Sequence, residues 1–148
     1  MVEHVLVPMD GSPLADRALR VALEEYPDAA ITVMHVIDPA QPGYSYPVDV
    51  DPDTEPLRGS PEWYERAEEL AERLFESARS IAAEYDATVA TELLVGDPGP
   101  EIVDFVADSD VDQIVIGSHG RDEETQFFLG SVTETVVFRS PVRVLLVR

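Results

Sequence analysis

The chain has 148 residues, 45% of them hydrophobic, and no cysteine, so disulfides and thiolate-bound metals are excluded. That length suits a single domain (1–148) with a proper core. Thirty Asp and Glu oppose ten basic residues, all arginine, and the resulting net charge of −20 argues against nucleic acid and anionic membranes as partners. No apolar run approaches the roughly 18 residues of a membrane-spanning helix. The opening Met-Val-Glu-His-Val-Leu-Val has neither the basic flank nor the cleavage site of a signal peptide, so the cytoplasm is the expected compartment. A disordered acidic chain would have few apolar residues, and this one has many. The charge therefore reads as an acidic, hydrated surface suited to a salt-loving cell. Its self-repulsion would be screened once the Debye length falls to about 3 Å at 1 M salt.

Val2 to Met9 reads as a first strand, ended by Pro8-Met9-Asp10-Gly11-Ser12-Pro13. Ser12 before Pro13 is a helix start, a hydroxyl cap followed by proline at the first helical position. Leu14, Ala18, Val21 and Ala22 continue at helical spacing. Ala29 to Ile37 is a second strand. Both strands are nearly continuous apolar runs, as in a parallel sheet covered on both faces. Residues 38–60 hold Pro39, Pro42, Pro47, Pro52 and Pro56, too long a stretch for an ordinary connection. It reads either as a lid or as disorder.

Ser60-Pro61 repeats the helix start, and Trp63, Ala67, Leu70, Leu74, Ala78, Ile81 and Tyr85 step along one face of a long helix. Its charged outer face reads as solvated surface. Ala87 to Val95 is a third strand, and Gly96-Asp97-Pro98-Gly99-Pro100 opens a short helix through Val106. Val111 to Ile116 is the fourth strand. Val132, Val136 and Val137 mark a last helix, and Val142 to Val147 is the fifth strand. Strict alternation predicts an α/β fold, a five-stranded parallel, doubly wound, Rossmann-like sheet with helices on both faces; with strand one central between strands two and four, its order is 3-2-1-4-5. Ligands of such sheets bind where the strand order reverses, here between strands one and four.

The loops after those two strands carry the candidate chemistry. Gly117-x2-Gly120-x9-Gly130-Ser131 follows the fourth strand and leads into the last helix. Gly117 and Gly120 would let the backbone turn tightly and approach a ligand. Gly130, Ser131 and Thr133 would open the helix, where free N–H groups and the dipole favour an anion, above all phosphate. A Walker A loop is excluded because there is no lysine, and no G-x-G-x-x-G follows the first strand. The expected site therefore binds nucleotide phosphate by another arrangement.

Over essentially its whole length the chain resembles the universal stress protein family, in its ATP-binding branch. The likeness rests on Val5-Leu-Val-Pro-Met-Asp-Gly-Ser12, His35-Val36-Ile37, Gly96-Asp97-Pro98, Ile114-Val-Ile-Gly-Ser-His-Gly-Arg121, Gly130-Ser-Val-Thr133 and Pro141-Val142. The resemblance implies that Pro8, Met9 and Asp10 lie against adenine and ribose. It implies that Val36 meets the adenine through its backbone and that Ile116 and Gly117 flank the ribose. Gly120, Gly130, Ser131, Val132 and Thr133 would receive the phosphates through N–H and hydroxyl groups. Ser118, His119 and Arg121 lie in the same loop, and Arg121 is the cation there that could reach a phosphate oxygen. Blander roles stand beside these: Asp10 as acceptor from the helix start at Ser12, and His119 as a residue that orients the loop. His4 and His35 read as strand residues without a ligand.

The chain departs from the family in Asp122, Glu123 and Glu124, which are surface acid or, if they face phosphates, call for Mg²⁺. No catalytic set is visible, so the expected role is an ATP-binding stress-response or signalling switch. A slow ATPase or a nucleotide-free dimeric scaffold are the alternatives. The resemblance also implies a homodimer paired through the last strand, Val142 to Val147, an apolar edge in its own right.

Overall fold

The computed structural model describes residues 1–40, 56–119 and 129–148. Among them strand and helix alternate: β1 (His4–Pro8), α1 (Pro13–Glu25), β2 (Ala30–Ile37), α2 (Pro61–Ala83), β3 (Ala90–Val95), α3 (Pro98–Ala107), β4 (Gln113–Gly117), α4 (Ser131–Arg139) and β5 (Arg143–Val147). The strands form one sheet in the order β3-β2-β1-β4-β5, and every neighbouring pair is parallel. This is the expected order, with strand one central between strands two and four.

Local chemistry sets the helix starts. The Ser12 hydroxyl accepts from the Ala15 amide at 3.2 Å, and the Ser60 hydroxyl accepts from the Trp63 amide at 3.1 Å. Each cap is followed by proline, whose missing N–H costs nothing at the first helical position. The central strands are buried on both faces, and side chains alternate between them. Val5, Val7, Val33 and Val115 meet α1 and α2 through Leu19, Leu23 and Phe75. Leu6, Met34, Ile114 and Ile116 meet α3 and α4 through Ile102, Val106 and Val136. The helices therefore cover both faces.

Several strand boundaries differ from the sequence reading, these three among them. β1 starts at His4, and the Glu3 amide before it donates to Asp112 Oδ2 at 2.9 Å. Pairing of β2 with β3 begins at Thr32↔Ala90, so Ala87, Thr88 and Val89 lie outside β3. Gly117 pairs with Val147 and is the last residue of β4 rather than the first of a turn.

Candidate functional site

The C-terminal ends of β1, β2 and β4 lie side by side, and each holds a polar residue that the fold buries: Asp10, Asp38 and Ser118. Asp10 follows β1 directly. Its Oδ1 accepts from the Ser12 amide at 2.9 Å, a local turn that aims the carboxylate, and Gly11 between them takes a left-handed φ of 82°. The backbone before Asp10 is held twice from β2. The Met9 amide donates to Met34 O at 2.8 Å, and His35 Nδ1 contacts Met9 O at 2.8 Å. A carbonyl only accepts, so the imidazole proton lies on Nδ1. Beyond β2, Asp38 Oδ1 accepts from the Ala40 amide at 2.9 Å, a second such turn.

The end of β4 and the start of α4 are stitched together. The Ser118 amide donates to Val147 O at 2.8 Å, and the Gly130 amide returns to Ser118 O at 2.9 Å. The buried Thr133 hydroxyl donates to Gly117 O at 2.8 Å. These bonds set the opening turn of α4 against the end of β4. Gly130 is the N-cap residue and has no side chain with which to cap the turn. The amides of Ser131, Val132 and Thr133 are the first-turn donors, which have no acceptor within the helix. They lie at the positive end of the helix dipole.

Glycine serves two purposes that the spacing does not distinguish. Gly117 does not adopt positive φ. A Cβ there would lie 3.0 Å from Leu14 Cγ, so its missing side chain makes room for α1. Gly130 has φ −64° and ψ 157°, a conformation open to any residue.

Pro8, Met9 and Asp10 thus stand at the end of β1, and Val36 is buried in β2 one residue before its end. Ile116 and Gly117 end β4, Ser118 and His119 follow it, and Gly130, Ser131, Val132 and Thr133 open α4. Gly120, Arg121, Asp122, Glu123 and Glu124 lie outside the described residues, as does most of the 38–60 stretch. Sequence reasoning missed His35 and Asp38. A histidine inside an apolar strand gives no sign that it grips a neighbouring backbone, and Asp38 reads as the first residue of a loop. Electrostatically the described part of the site is acidic. Burial pushes the Asp16 carboxyl, in the first turn of α1, above the ordinary carboxylate range; Arg20 opposes this, and the nearby Asp10 adds to it. Among the described residues no group of three or more His, Cys, Asp or Glu is arranged to hold a metal ion.

Residues 1–148, the whole chain, match the family model described as the universal stress protein family. The chain belongs to the universal stress protein family. A family member from Methanocaldococcus jannaschii is 32% identical over 157 residues, covering 100% of this chain and 96% of that protein. Another from Thermus aquaticus is 32% identical over 155 residues and covers both chains fully, at 100% each. Among solved structures, the universal stress protein UspA from Lactobacillus plantarum superposes with a TM-score of 0.77 at 25% identity, covering 99% of this chain and 98% of that one. The universal stress protein from Archaeoglobus fulgidus, solved in complex with dAMP, gives a TM-score of 0.68 at 25% identity, covering 100% and 98%. Among the described residues of this family member, no helix is long and apolar enough to cross a membrane.

Proposed function

We propose that this family member binds an adenine nucleotide, ATP in the cell, as a stress-response switch rather than as a substrate for rapid turnover. The observation that carries the reading is the opening turn of α4. Its donors are fixed against β4 by the Gly130 and Thr133 bonds and have no side chain from Gly130 to cap them. They open at the point where the strand order reverses between β1 and β4. Asp10, steadied by Ser12 and by the His35 grip on Met9, is the acceptor for ribose hydroxyls or the adenine edge. Ser131, Val132 and Thr133 take the phosphates, Ile116 and Gly117 flank the sugar, and Arg121 adds the cation. The dAMP complex of the Archaeoglobus fulgidus relative supports the ligand class. Mg²⁺ would serve as a counter-charge between the phosphates and the carboxylates of this edge of the sheet.

The test is direct. The protein is purified in concentrated KCl, any retained ligand is identified by mass spectrometry, and ATP and AMP are titrated calorimetrically with and without Mg²⁺. Bound ATP that survives hours of incubation supports the switch. Steady release of ADP would make the protein an enzyme, and no binding at any salt concentration would remove the nucleotide altogether.

The same reading includes a homodimer. β5 is an edge strand whose Val144, Leu145 and Leu146 are only partly covered, and α4 leaves Phe138 78% exposed. Light scattering on the wild type should give twice the chain mass, and Leu145→Asp should give one.

A further inference from the structure

At the opposite edge of the sheet, away from Asp10 and α4, the chain has a second concavity. The ladder between β2 and β3 starts at Thr32↔Ala90, although β2 itself starts at Ala30. Below that first pair the two segments part, with Ala30 and Ile31 on one side and Ala87 and Thr88 on the other. The gap is a cleft of about 630 Å³, walled by these residues and by the rings of Tyr26 and Tyr85. Clefts of roughly 300–1,000 Å³ are the size that holds small organic molecules. We propose that this cleft binds a small amphipathic organic cation, an alkyl- or aryl-substituted ammonium.

Three observations select that class. The walls are mixed, with Leu23, Ile31 and the alanines beside the two tyrosines and the polar Thr32, Asp86 and Thr88 among them, so an apolar body with a polar head is accommodated. No arginine or lysine lines the cleft, so an anion would find no counter-charge. Its one basic group, His4, is already occupied: Nδ1 lies 2.7 Å from Asp110 Oδ1 and Nε2 lies 2.8 Å from Thr32 Oγ1. Meanwhile the exposed Asp86 stands in the lining, and the hydroxyl of the lining residue Tyr85 donates to Glu24 at 2.8 Å. Arg20, which also hydrogen-bonds that tyrosine, has its charge paired with Glu84. Tyrosine faces and carboxylates attract a poorly hydrated ammonium, and the net charge of −20 raises its local concentration.

The proposal is independent of the nucleotide site, and its test reads residues of this cleft alone. Benzyltrimethylammonium and benzoate are titrated separately into the ¹⁵N-labelled full chain, at the lowest KCl concentration that keeps it folded. The cation should shift the Ala30, Ile31 and Thr88 amides to saturation, and benzoate should leave them in place. Asp86→Asn is the matched variant. Asp86 has φ 54°, which asparagine tolerates as well, so the turn survives while the charge goes. Its affinity for the cation should fall about threefold, as expected for loss of one solvent-screened carboxylate a few ångström away. Equal shifts from benzoate, no saturable shift from the cation, or an unchanged affinity in Asp86→Asn would each overturn the assignment.

Discussion

His35 shows how one side chain can govern a neighbour it does not resemble. Its Nδ1–H supplies the Met9 carbonyl, one residue before Asp10, from inside β2. His35→Leu keeps the volume and removes the donor. It should cost about 1–3 kcal/mol, as expected when a buried acceptor loses its partner. Denaturant titration reads that loss. Calorimetry should show nucleotide affinity falling as well, because the backbone before Asp10 loses one of its two ties to β2. Asp16 makes a prediction with a definite sign. Its folded-state pKa is raised above the ordinary 3.8, so the folded chain holds that proton more tightly than the unfolded chain does. Stability from this group is therefore present in acid and is lost as pH rises from 3.8 through the raised value. Asp16→Asn should melt higher than the wild type at neutral pH, and the difference should close in acid. A constant difference across that range would assign the effect to packing instead.

At the scale of elements, the two helices on the β4 face approach unusually closely. A Cβ on Gly99 of α3 would lie 2.8 Å from Thr135 Cγ2 of α4. Gly99→Ala should therefore destabilise the protein, by about 1–3 kcal/mol of overpacking, despite alanine's better helix propensity. It should also weaken nucleotide binding by displacing the first turn of α4. Normal stability in Gly99→Ala would show that the helices part freely. Elements of this kind were legible in the sequence where the signal is local. Ser12-Pro13 and Ser60-Pro61 announced their helices, and the unbroken apolar runs of β1, β2 and β4 announced a covered parallel sheet. What was not legible depends on partners far along the chain. Val2 and Glu3 look like strand, yet β1 starts at His4 and the Glu3 amide donates to Asp112. Gly117 looks like a turn residue until its lack of a side chain proves to serve Leu14. The family motif pointed to the right edge of the sheet, but it could not show that the Thr133 hydroxyl is bonded to Gly117 O, which leaves its amide as the donor for an anion.

For the molecule as a whole, charge decides the conditions under which any of this operates. A folded chain of 148 residues carrying −20 repels itself, and among its described residues the arginine–carboxylate pairs are Arg20–Glu84 and Arg79–Glu72, both at the surface. Surface pairs of this kind offset little. The melting temperature should therefore climb steeply with KCl and level off near 1 M, where the Debye length has shrunk to about 3 Å. Identical melting in dilute and multimolar KCl would rule out the salt-loving reading. The Gly130 amide bond to Ser118 has a consequence of another kind. It fastens the two banks of a crossing, so the sheet and α4 are tied to each other directly. Doubling such a span costs only about 0.6 kcal/mol in closure entropy. Evolution, or an engineer, can rewrite the residues beside the proposed phosphates in length and in charge while the scaffold stays put.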